Sequence, residues 1–288
     1  MEPLCVVDDK GYVTKLSALI VVAILLTESA VASDLADRFL QGLGDSHYLR
    51  MDSETVGRDF HVFVMLPNDY EQHPKQTYPT VYILDGGALF PLLVAYYRYL
   101  NFGKEIPNAI IVGISYGSDS YEDGNYRSTD YTAESDERDY WGGAGTFQEF
   151  LSNEMIPYVE SNYRSRSDRR VIFGHSIGGQ FVLYTALVEP DLFWGHIASN
   201  PALHRNLPFF LQEPGSTSSP RVPSRLFVAS GSMDDPEFRI PALKWIEHWS
   251  SKDNVPWQLE TMTLDGHSHM SAPPASFRLG MRWLFFGQ

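Results

Sequence analysis

The run Gly174-His175-Ser176-Ile177-Gly178-Gly179 carries the most chemistry in this chain. A serine hydroxyl is a weak nucleophile until a base takes its proton and a turn presents it to solvent. Glycines two before and two after the serine allow a strained turn that lifts the hydroxyl above a helix N-terminus. The context fits, because Val171-Ile172-Phe173 precedes the run and Phe181, Leu183, Tyr184, Ala186 and Leu187 follow it at helical spacing. That arrangement serves acyl transfer through a covalent serine. It requires an acid and then a histidine further along the chain.

Asp234 answers the first need. It lies in Ser232-Met233-Asp234-Asp235-Pro236, just beyond the apolar run Leu226-Phe227-Val228-Ala229. Asp235 and Glu237 are substitutes, and Asp-Asp-Pro is also good turn chemistry. Asp265-Gly266-His267-Ser268-His269 supplies two histidines, His267 and His269. His-x-His is a metal-ligand spacing as well, but no other acidic or histidine cluster completes a zinc set, so no metal or cofactor is expected. The oxyanion needs two backbone N–H donors. Ile177 follows the nucleophile and supplies one; Gly86 or Gly87, after the run Thr80 to Leu84, supplies the other.

The elements that position these residues can be read from the apolar runs. Phe60 to Leu66, Thr80 to Leu84, Ala109 to Ile114, Arg170 to Phe173 and Leu226 to Ala229 read as strands, most of them apolar without alternation. Such strands are buried on both faces, as in a parallel sheet covered by helices. Helical spacing falls between them: Phe147 to Val159, Phe181 to Leu187, and Leu243, Ile246 and Trp249. A last strand near Trp257 to Leu264 is followed by Phe277, Met281, Trp283 and Leu284. The alternation predicts one α/β domain with a single open, mostly parallel sheet and helices on both faces.

Composition agrees with a globular enzyme: 288 residues, 43% hydrophobic and 20% charged. The net charge of −14 argues against a nucleic-acid partner. The single cysteine, Cys5, excludes an intrachain disulfide. Leu16 to Leu26 is an uncharged apolar run followed by Ala30-Val31-Ala32, the layout of a secretory signal. Residues 1–32 are therefore expected to be a signal peptide, with Val13 an alternative start, and 33–288 the catalytic domain. Secretion or periplasmic export follows from that reading, with no stable span after cleavage; an uncleaved membrane anchor is the alternative. Gln212 to Pro223 reads as an exposed Pro/Ser-rich excursion. Gly117 to Tyr140 holds eight acids, two arginines and four tyrosines.

Taken together, these pieces resemble the esterase D-like branch of the α/β hydrolases. The resemblance runs roughly from Phe60 to Phe286. It rests on Tyr82-Ile83-Leu84-Asp85-Gly86-Gly87 with Phe90, Val112-Gly113-Ile114-Ser115-Tyr116, Arg127 with Asp130-Tyr131-Thr132, Phe150-Leu151 through Ile156-Pro157, and Tyr163-Arg164. The Gly174 to Gly179 turn, Glu189-Pro190 with Phe193, and Gly266-His267-Ser268-His269-Met270-Ser271 complete it. It implies the α/β-hydrolase fold and a serine carboxylic-ester hydrolase without a cofactor, similar to the siderophore esterase subgroup. In that subgroup G-x-x-H-x-S carries the catalytic histidine, which matches His269, while the acid varies.

The resemblance leaves the substrate between a siderophore ester and an acylated sugar, a small-molecule or carbohydrate ester in either case. Arg127 is expected as an anion anchor, with Tyr131, Trp141 and His175 as further substrate contacts. The acidic loop counts against an anionic ester. Acyl transfer on the same fold, or a non-catalytic binding protein, are the competing readings. Oligomeric state is not encoded in these features.

Overall fold

The computed structural model describes residues 41–213, 224–253 and 255–287. The expected signal segment lies outside the described residues, as does most of the Pro/Ser-rich excursion. Eight strands form one sheet in the order β1-β2-β4-β3-β5-β6-β7-β8. β1 (Asp45–Ser53) pairs antiparallel with β2 (Arg58–Leu66), and β2 pairs antiparallel with β4 (Ile110–Ser115). From β4 onward every pairing is parallel, through β3 (Tyr78–Ile83), β5 (Ser165–His175), β6 (Gly195–Ser199), β7 (Ser224–Gly231) and β8 (Trp257–Leu264).

The unalternating strands do bury both faces. Tyr82, Val112, Ile172, Ala198 and Val228 join one core cluster with Phe147, Phe150, Phe181 and Trp249. Their neighbours Val81, Ile83, Ile111, Phe173, Ile197 and Phe227 join the other with Leu93, Tyr97, Phe277 and Met281. The first cluster is roofed by α3 (Ala144–Phe150), α4 (Ile156–Asn162), α5 (Ile177–Val188) and α7 (Pro236–Ser250). A π-helical turn, Leu151–Met155, joins α3 to α4. The second is covered by α1 (Gly86–Phe102) and α8 (Ala272–Phe286). Two one-turn helices, α2 (Arg127–Asp130) and α6 (Leu207–Phe210), sit in the connections.

The strands expected from the sequence are present. β1, β6 and α1 were not foreseen. Ser-Asp-rich β1 is largely exposed and β6 is only five residues. In α1 the Gly86-Gly87 start and Pro91 mask a helical pattern, Phe90, Leu93, Val94, Tyr97 and Leu100, all of them buried. Among the described residues, no helix is long and apolar enough to cross a membrane.

Candidate active site

β5 runs straight into Ser176, whose φ of 58° and ψ of −118° leave the regions an L-residue prefers. Strain at one residue is tolerated when its surroundings fix it. The Ser176 N–H donates to the Ser199 carbonyl at 3.0 Å, and the Ser176 carbonyl accepts from Gln180 and Ala202 N–H, each at 3.0 Å. A Cβ on Gly174 would lie 2.1 Å from the Gly178 carbonyl oxygen, so only glycine lets the chain turn this tightly. Ile177 is the first residue of α5, where an N–H has no intrahelical acceptor.

The second donor turn follows β3. Asp85 precedes α1 in the left-handed region, with φ 54° and ψ 40°. Gly86 and Gly87 open the helix, so their N–H groups also lack intrahelical acceptors. A Cβ on Gly86 would come within 2.6 Å of the Gly113 backbone on β4, which forces glycine there. Arg127 grips the Asp85 carboxylate through Nε at 2.7 Å and Nη2 at 2.8 Å. Burial disfavours the guanidinium charge, but the Asp85 carboxylate more than restores it and lifts the group above its usual range. Arg127 thus shapes this turn with its charge paired to Asp85, and the same residue lines the neighbouring cavity where the anion contact is expected.

Asp234 follows β7 with its side chain 1% exposed. Its Oδ1 accepts from the Asp235 N–H at 2.8 Å and its Oδ2 from Asn200 Nδ2 at 2.7 Å. His269, in the loop after β8, places Nδ1 at 3.1 Å from Oδ1 and 3.0 Å from Oδ2. Nε2 is thereby the ring nitrogen left to take a proton. The His269 ring packs between Phe238, with centroids 4.5 Å apart, and His175, at 4.6 Å. Burial, with His269 as a second cause, pushes His175 down to about 3, so it stays uncharged beside the base. His267 points elsewhere, its Nδ1 bonded to the Ser271 carbonyl at 3.0 Å. Asp235 caps α7 by accepting from Glu237 N–H at 2.9 Å.

A cavity of about 300 Å³ opens beside the Asp85 turn. Gly87, Ser115, Asp119, Asn125, Arg127 and His175 contribute to its wall. Two expected substrate contacts, Tyr131 and Trp141, are not among the residues lining this cavity. Tyr131 is fully buried, packed against Phe147 and Phe181, because its aromatic bulk fills the core under the turn; its hydroxyl accepts from Asp85 N–H at 3.4 Å. The Trp141 ring lies under the Arg205 guanidinium, 5.2 Å from the centroid. The acidic loop also contributes less charge than its composition suggests. Asp119 is the one of its acids on the cavity wall, and Asp130 is buried against Arg58 and Tyr116. Burial raises Asp130, with Arg58 pulling the other way.

Sequence reasoning missed Asn200, and its signal was weak. β6 reads as Gly-His-Ile-Ala-Ser, with one β-branched residue, so the residue at its end carried no positional meaning.

The strand order, the strained serine on the β5–α5 turn and the acid–imidazole pair after β7 and β8 define the α/β-hydrolase fold. The Putative esterase family model matches residues 53–271, which include every one of these residues. The chain belongs to that family, whose chemistry is carboxylic ester hydrolysis. It is 32% identical over 202 residues to the ferri-bacillibactin esterase BesA of Bacillus subtilis, covering 64% of this chain and 69% of that protein. It is also 32% identical over 164 residues to an apo-salmochelin esterase of Escherichia coli, covering 54% of this chain but 50% of the relative. Among solved structures, an IroE-like serine hydrolase from Shewanella oneidensis superposes with a TM-score of 0.72. That pair is 23% identical, over 84% of this chain and 80% of the other, a likeness of fold.

Proposed function

We propose that this chain hydrolyses siderophore esters through an acyl-enzyme on Ser176. The observation that carries the mechanism is the Asp234–His269 pair, buried on the acid side and set at the end of the sheet that also presents Ser176. Ser176 Oγ attacks the ester carbonyl while His269 Nε2 takes its proton. Asp234 holds the imidazole in the Nδ1–H form and stabilises the imidazolium. The N–H of Ile177 and one from Gly86 or Gly87 receive the oxyanion. His269 then returns the proton to the departing alcohol oxygen, and the same base activates water to release the acid.

The substrate reading draws on the relatives, one named a ferri-bacillibactin esterase and the other an apo-salmochelin esterase. The cavity wall refines it. Arg127 is neutralised by Asp85, and Asp119 adds a second carboxylate, so this wall does not attract an anion. An iron-free ester is therefore a better fit than its anionic ferric complex. We further propose export, with residues 1–32 removed; Edman sequencing of the exported protein is expected to begin at Ser33.

The test is a panel of p-nitrophenyl acetate, acetylated xylan and a catecholate triester with and without iron. The triester is expected to be the preferred substrate, turned over faster without iron. Ser176→Ala is expected to lose about 10⁶-fold in kcat. Retained turnover in Ser176→Ala, or preference for the sugar ester, would overturn the respective part.

A further inference from the structure

Asn200 lies just past β6, and three of its groups reach toward β7 and the acid. Its N–H donates to the Ala229 carbonyl at 2.8 Å. Its Oδ1 accepts from the Gly231 N–H at 3.0 Å, and its Nδ2 donates to Asp234 Oδ2 at 2.7 Å. The residue is 1% exposed and holds φ at 41°, a left-handed conformation that asparagine tolerates better than most side chains. One residue earlier, the Ser199 carbonyl holds the Ser176 N–H. One short stretch of chain therefore touches both the nucleophile's turn and the acid.

We propose that Asn200 is a positioning residue for this reaction: its Nδ2 bond sets the plane of the Asp234 carboxylate so that both oxygens meet His269 Nδ1. This rests on the serine mechanism above. Each carboxylate oxygen has one fixed donor, Asp235 N–H on Oδ1 and Asn200 Nδ2 on Oδ2, and the imidazole N–H lies between them. Without the second donor the carboxylate can turn about its Cβ–Cγ bond, and a misplacement near 1 Å costs about 100-fold in rate. The amide suits the task because it is uncharged. A lysine or arginine here would pair with Asp234 and draw its charge away from the imidazolium. Aspartate lacks the donor, and serine is too short to reach both Gly231 and Asp234.

The experiment compares Asn200→Ala, Asn200→Leu, Asp234→Ala and the double variant Asn200→Ala/Asp234→Ala by kcat, KM and pH profile on p-nitrophenyl acetate. Asn200→Ala is expected to lower kcat about 10- to 100-fold with KM within about twofold. Loss of the donor leaves more charge on Asp234 facing the imidazolium, so the acid limb of the profile moves to higher pH. In the Asp234→Ala background the same substitution should cost less than about twofold, because the group it acts through is gone. Asn200→Leu keeps the approximate size but removes the donor, so it should move kcat and the limb as Asn200→Ala does. If Asn200→Ala fails to fold, a folded Asn200→Leu with native kcat and pH profile overturns the proposal. A full, additive loss in the Asp234→Ala background overturns it too, since that is what a structural role produces. Native kcat in Asp234→Ala sinks the triad and this proposal with it. An Asp234→Ala with a strongly reduced but measurable kcat and an additive double variant sinks this proposal alone.

Discussion

At the scale of single residues, the division of labour around Asp85 and Asp234 can be tested directly. Asp234→Asn keeps the shape but lets the ring adopt the wrong tautomer, and kcat is expected to fall about 10³- to 10⁴-fold with little change in KM. Steady-state kinetics on an activated ester reads this. Arg127→Ala leaves the Asp85 carboxylate, 17% exposed, without its guanidinium. The expected result is a drop in kcat of about tenfold together with a lower Tm, because the donor turn loosens. Arg127→Lys keeps the charge but not the two-pronged fit, and should fall between the two. A rise in KM with unchanged kcat would instead restore Arg127 as a substrate anchor. The strained turn at Ser176 and the Asp234–His269 hydrogen bond were legible because serine-ester chemistry would demand those residue types in that order. Tyr131 was not, since sequence alone gives a tyrosine in a polar loop no sign that its ring belongs to the core.

At the scale of elements, two contacts of backbone on backbone decide whether the site exists. Gly174 meets the Gly178 carbonyl, and Gly86 meets the Gly113 backbone. Neither neighbour is a side-chain tip that can move aside. Gly174→Ala is expected to cost more than about 4 kcal/mol or to prevent folding, read by urea denaturation. The strands flanking these turns were legible from their unbroken apolar character. β6 was not, because five residues that include Gly195 and His196 carry too little β-branched signal. α1 was hidden for a different reason: its glycines serve the close approach to β4 and read as a turn, although the buried spacing from Phe90 to Leu100 marks the helix.

At the scale of the whole molecule, two buried histidines link stability to pH. His196 on β6 is fully buried, and burial pushes it down to about 3, with the Arg225 backbone pulling the other way. His175 is held to about 3 mainly by burial. The unfolded chain binds these protons near pH 6.5 and the folded one does not. Their contribution is therefore complete above about pH 6.5 and is lost as pH falls toward 3. At pH 5 each costs about 2 kcal/mol. The Tm is expected to drop steadily below pH 6.5, and His196→Leu should flatten that slope while leaving kcat unchanged. A slope equally steep in His196→Leu would remove His196 from the account.

The groups proposed to react come from the ends of β3, β5, β7 and β8, which lie side by side only when the sheet from β3 to β8 has formed. A piece of the chain that lacks any one of these strand ends lacks a member of the proposed set. A stoichiometric acylating reagent that labels Ser176 therefore counts intact molecules, one label each, and its burst amplitude becomes a census of correctly assembled protein in any preparation.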